Sequence, residues 1–143
     1  MSALLDTTEK EIEIEPELEL ESKLECSEDE QLLVNDYNTI KIANGDCDRE
    51  VLCRLHKLGI YYKDKGEHVI ALRYMSQCLQ NRIDTFGLKD EDTMMSQYDI
   101  GVYFLLLQRA ADGTKMLREC LSNRTEVFGV NSVLTWDTMG ALG

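Results

Sequence analysis

Along most of this chain the apolar residues recur at helical spacing. Leu55, Leu58, Gly59 and Tyr62 stand at i, i+3, i+4 and i+7, and Ala71, Met75, Cys78, Leu79 and Arg82 continue a second face of the same period. Each segment therefore has one side suited to a core. Gly66-Glu67 marks a turn between the two, and Phe86-Gly87 ends the second with a glycine suited to a left-handed C-cap. The pattern predicts antiparallel helix hairpins, with helices over 28–43, 48–65, 67–86, 92–107, 110–128 and 132–142. A single proline, Pro16, and widely spaced glycines leave long stretches without a strong breaker, so the fold class is all-α.

The pattern also repeats, with a period of 42 residues. Gly59, Gly101 and Gly143 fall in register, as do Tyr61 with Tyr103, Cys78 with Cys120, Asn81 with Asn123, Arg82 with Arg124, Phe86 with Phe128 and Gly87 with Gly129. Comparing residues 58–101 with 100–143 gives ten identities in 44 pairs, where average residue usage gives roughly three. A unit of this length cannot bury its apolar face alone, so neighbouring units are expected to stack into an α-solenoid. Small residues at Gly59, Ala71, Gly101 and Gly113 suit close helix crossings, and Leu58, Tyr62 and Phe104 suit the core beside them.

The segment before residue 28 follows no such period. From Glu11 to Glu21 an acid occupies every second position, which sets a row of like charges on one face of any strand, and Pro16 interrupts the run. Residues 1–27 are expected to be a solvated, disordered acidic tail. The edge formed by Ile12, Ile14, Leu18 and Leu20 could alternatively serve as a short motif that adds to a partner's sheet.

Charge sharpens this division. The chain carries a net −12, yet residues 1–36 hold 13 acids against Lys10 and Lys23, whereas residues 37–143 hold 14 acids and 13 bases. The repeat region has no basic excess to neutralise phosphates, which argues against a nucleic-acid partner. The longest uncharged apolar run, Val102 to Leu107, is six residues, far short of the roughly 20 that a membrane span needs. Five cysteines, an odd number with no apolar leader before them, fit reduced thiols and a cytoplasmic location.

Candidate chemistry is sparse. Cys53 and His56 have C-x2-H spacing with Cys47 nearby, but His68 stands apart and no second close pair completes four ligands, so no metal and no cofactor are expected. Cys78 and Cys120 read as small core residues. The phosphate-loop, nucleophile-elbow and zinc-hydrolase motifs do not occur, and the chain is not expected to be an enzyme.

The run Leu55-x2-Leu58-Gly59-x2-Tyr62, followed by Ala71-x3-Met75 and Cys78, resembles the tetratricopeptide pattern. The longer period, with Cys78-Leu79-x2-Arg82-x3-Phe86-Gly87 and Asp92-Thr93, resembles the kinesin-light-chain subtype over residues 28–143. The resemblance implies a degenerate unit at 28–47, repeats at 48–89 and 90–131, and a truncated repeat at 132–143. It also implies a concave groove for a protein or peptide, lined by the first helix of each repeat. Carried onto this chain, the groove positions are Cys53, His56, Ile60 and Lys63, then Met95, Tyr98, Val102 and Leu105. Where the family has paired asparagines, this chain has His56-Lys57, Tyr98-Asp99 and Gly140-Ala141.

An interaction module or adaptor is the function this reading favours. The alternative is a truncated sensor or oligomerisation segment of a larger regulatory protein. At the C-terminus Trp136, Met139 and Leu142 have no following helix to complete their hairpin, so apolar surface is expected to stay exposed there and to favour self-association.

Overall fold

The computed structural model describes residues 28–143; the expected acidic tail at 1–27, with Cys26, lies outside the described residues. Among the described residues the chain is all-helical. Its elements are α1 (Glu28–Asn44), α2 (Arg49–Asp64), α3 (His68–Phe86), α4 (Glu91–Leu106), α5 (Ala110–Phe128) and α6 (Val133–Leu142). Their ends fall within about one residue of the spans that periodicity predicts. None of the described helices is long and apolar enough to cross a membrane.

Local chemistry explains where the helices begin and stop. The carboxylates of Asp48 and Asp90 accept from the backbone N–H groups of Glu50 and Asp92 at 3.0 Å, satisfying donors that the first turns of α2 and α4 leave open. Helices α1, α3 and α5 each end at a positive-φ glycine, Gly45, Gly87 and Gly129, with φ of 86°, 86° and 85°. At Gly129, the repeat counterpart of Gly87, ψ is 167°. That residue is therefore not in the left-handed helical conformation expected of such a cap; it lies in the extended positive-φ region that is essentially glycine's alone.

The chain divides into two compact units, one up to Asn81 and one from Arg82 to Gly143, and the division falls inside α3. In the first unit α1 and α2 run antiparallel. Glu30 near the start of α1 meets Tyr62 and Lys65 at the end of α2, while Asp36 pairs with Arg54 further back. Helices α2 and α3 are antiparallel as well, since Leu52 meets Cys78 and Gly59 meets Met75 and Ala71. Val51, Leu52, Leu55, Leu58, Tyr62, Ala71, Leu72, Met75, Cys78 and Leu79 are buried between them. A β-carbon on Gly59 would lie 2.5 Å from Met75 Cγ and 3.3 Å from the Met75 backbone nitrogen, so the crossing needs the glycine.

The second unit repeats the arrangement one period later. Gly101 faces Leu117, where a β-carbon would lie 2.7 Å from Cγ, and Gly113 faces the Gly101 carbonyl oxygen, where it would lie at 2.8 Å. Ile100, Tyr103, Phe104, Met116, Leu117 and Cys120 fill this core. Helix α6 packs on α5 through the buried side chains of Thr135 and Thr138.

Candidate functional site

Two kinds of residue recur in both units: those that clasp one helix to the next, and those that face outward from α2 and α4. The clasps are well formed. The Cys78 thiol donates to the Leu52 carbonyl at 3.2 Å, and the Cys120 thiol to the Met94 carbonyl at 3.3 Å, at positions one repeat apart. Both cysteines are fully buried, and burial pushes the Cys120 thiol above its ordinary range, so it stays protonated and inert. The expectation of small core residues holds at both.

A second clasp uses arginine. Arg82 Nη1 donates to the Asp92 carbonyl at 3.1 Å and the Ser96 hydroxyl at 2.6 Å. Arg124 Nη1 donates to the Leu134 carbonyl at 3.2 Å and the Thr138 hydroxyl at 2.8 Å. Both guanidinium groups are buried and meet only neutral acceptors there. Each ties the end of one helix to the start of the next. In α1 the same repeat position is Ile40, so the clasp is missing where the sequence reads as degenerate.

At that first junction Glu30 does the tying. Its carboxylate is buried and accepts from the Tyr62 hydroxyl at 2.7 Å and from Lys65 Nζ at 3.1 Å. The hydrogen bond to Glu30 raises the Lys65 ammonium above its ordinary range, against the opposing effect of burial. Sequence reading passed over Glu30 as one acid among many. A signal did exist: Glu30 lies one period before Leu72, which is buried.

The expected partner-facing residues are distributed as follows. On α2, Cys53, Ile60 and Lys63 are half-buried, whereas His56 is 8% exposed and offers little surface, because α1 and α3 both pack on this helix and widen its buried arc. On α4, Met95 is exposed and Tyr98, Val102 and Leu105 are half-buried. Two of these also serve the fold. The Arg124 guanidinium lies over the Tyr98 ring at 4.7 Å. Leu105 fills the space that a side chain on Gly113 would need, with its Cδ2 2.9 Å from that β-carbon position. Met95 and Val102 remain as the side chains of this face with surface to offer a partner.

Depressions elsewhere on the second unit bypass this face. One of about 510 Å³ is lined by Ala110, Ala111, Thr114, Lys115, Arg118 and Glu119, and one of about 200 Å³ by Leu88, Gln97, Glu119, Ser122 and Asn123. Among the described residues no cluster of three or more His, Cys, Asp or Glu side chains is arranged to hold a metal ion. The chain matches no protein-family model, and a search of curated proteins returns no significant match.

Proposed function

We propose that this protein is a binding module of the tetratricopeptide type, a solenoid of helix hairpins that holds a protein or peptide against the outward faces of its first helices, α2 and α4. The observation that carries this reading is the stripe Met95, Tyr98, Val102 and Leu105 on α4. It keeps apolar side chains at least partly at the surface at i, i+3, i+7 and i+10 of a helix whose opposite side is buried. Its counterpart on α2, Cys53, Ile60 and Lys63, is smaller and more polar, so an extended or helical segment with apolar anchors on the α4 side and a polar or acidic residue near Lys63 matches the two faces best.

Binding rather than catalysis is further supported by the state of the buried reactive groups. The Cys78 and Cys120 thiols are spent on backbone carbonyls, and burial pushes the Tyr103 phenol up to about 12. The resemblance to kinesin-light-chain repeats supports a groove-binding role, with the chemistry at the paired-asparagine positions changed.

Panning a random peptide library on the full chain tests the proposal. Enriched peptides should share apolar anchors and should lose about tenfold or more in affinity for a Met95→Glu, Val102→Glu double variant. That variant spares Tyr98 and Leu105, which support Arg124 and the Gly113 crossing. Enriched peptides that bind the double variant as well as the original chain would place the binding site elsewhere.

A further inference from the structure

Helix α6 offers to solvent two side chains whose repeat counterparts are covered in both earlier repeats. Leu52 on α2 and Met94 on α4 are each 0% exposed, and the residue one repeat further on is Trp136, which is 55% exposed. Leu55 and Gln97 are 1% and 0% exposed, and their counterpart Met139 is 42% exposed. The other side of α6 behaves like its predecessors: Thr135 and Thr138 are buried, as Thr93 and Ser96 are. One face of α6 is thus docked as in the other repeats and the other is bare.

What covers the bare face is written in the two earlier repeats. On α2 it is α3, through Ala71, Met75 and Cys78; on α4 it is α5, through Gly113, Leu117 and Cys120. Both covering helices run antiparallel to the helix they cover. Each presents a small residue, a Met or Leu four positions later, and a cysteine three further on that donates to the carbonyl of Leu52 or Met94. Trp136 and Met139 together form a compact apolar patch that such a helix would bury. Gly140, whose β-carbon would meet nothing within 4 Å, leaves room beside it.

We infer that the Trp136–Met139 face of α6 is a docking site for an amphipathic helix bearing this small-x3-Met/Leu-x2-Cys face, laid antiparallel to α6 as α3 lies on α2 and α5 on α4. A second copy of this chain cannot supply its own α3 or α5 without unfolding, because those faces are buried in its own core. The occupant is therefore a helix presented by another segment or another protein. The inference concerns a different side of the molecule from the α2 and α4 stripes and stands whether or not those bind a peptide.

Trp136 is the single tryptophan of the chain, so its fluorescence reports on this site alone. The full chain is titrated with a synthetic peptide covering residues 109–128, the sequence of α5, and with the same peptide carrying Leu117→Glu. The expected result is a saturable shift of Trp136 emission to shorter wavelength with the first peptide. With the Leu117→Glu peptide, or with a Met139→Glu chain whose helicity is unchanged by circular dichroism, the affinity should fall about tenfold or more. The inference is overturned if no saturable shift occurs or if both peptides act alike. It is also overturned if the shift appears when the chain alone is concentrated, since a second copy would then be the occupant.

Discussion

At the scale of single residues, the two turns inside the hairpins make a controlled comparison. Gly66 and Gln108 occupy the same repeat position and both take positive φ, 81° and 61°. A left-handed conformation costs a residue with a β-carbon roughly 1–2 kcal/mol, while glycine gives back part of that gain through its freer unfolded chain. Gln108 is exposed, and a β-carbon on Gly66 would meet nothing within 4 Å, so the difference is confined to the backbone. Gln108→Gly should therefore raise stability by about 0.5–1 kcal/mol and Gly66→Gln should lower it by about 1 kcal/mol, both read from urea unfolding at unchanged slope. Shifts of the same sign in the two variants would discredit the backbone account. The first turn was readable from its Gly-Glu pair, but nothing in the residue type at 108 announces a positive φ; only the repeat register points there.

At the scale of elements, the junctions between helices depend on buried polar groups whose partners lie on the neighbouring helix. Removing one acceptor from a buried guanidinium leaves charge unsatisfied, and hydrogen bonds to charged groups contribute about 1.5–3 kcal/mol. Ser96→Ala and Thr138→Val should each destabilise by about 2 kcal/mol. In an Arg82→Met background Ser96→Ala should cost close to nothing, as should Thr138→Val with Arg124→Met, a coupling that double-mutant cycles of chemical denaturation measure. Equal costs in both backgrounds would mean that the arginines do not hold these junctions. The helices were legible because apolar spacing dictates which side of each must be buried. The clasps were not, because an arginine on an apolar face can either extend its head to water or bury it, and the choice is made by an acceptor 10 and 14 residues away.

At the scale of the whole molecule, Tyr103 couples the core of the second unit to pH. It is buried, and burial raises its phenol from 10.0 to about 12. Because the folded-state value is the higher, the full contribution is present below pH 10.0. It is lost as pH rises through about 12, where the unfolded chain ionises first and the native core must follow. The difference corresponds to about 3 kcal/mol at most. Tyr103→Phe should accordingly lose less stability than the original chain between pH 9 and 11.5, once the cost of the substitution at pH 7 is subtracted. Parallel pH dependences in urea melts of the two proteins would remove Tyr103 as the cause. On the candidate site, repeat periodicity placed both outward faces on the correct helices but could not say which residues were free: His56 is buried, and Leu105 and Tyr98 are partly engaged in packing.

The sequence by itself determined the helical class, the six spans, their antiparallel pairing and the small residues at the crossings. All of these follow from short-range periodicity and from the absence of a β-carbon where two backbones approach. Tertiary structure alone decided that Glu30 would be a buried, hydrogen-bonded carboxylate and that Arg82 and Arg124 would turn inward. It alone decided that Gln108 would adopt a glycine's conformation, and that Trp136 and Met139 would stay uncovered while Leu52 and Met94 were sealed. Each of these depends on a partner brought near by folding, and burial or exposure at such a position is a property of the neighbour as much as of the residue.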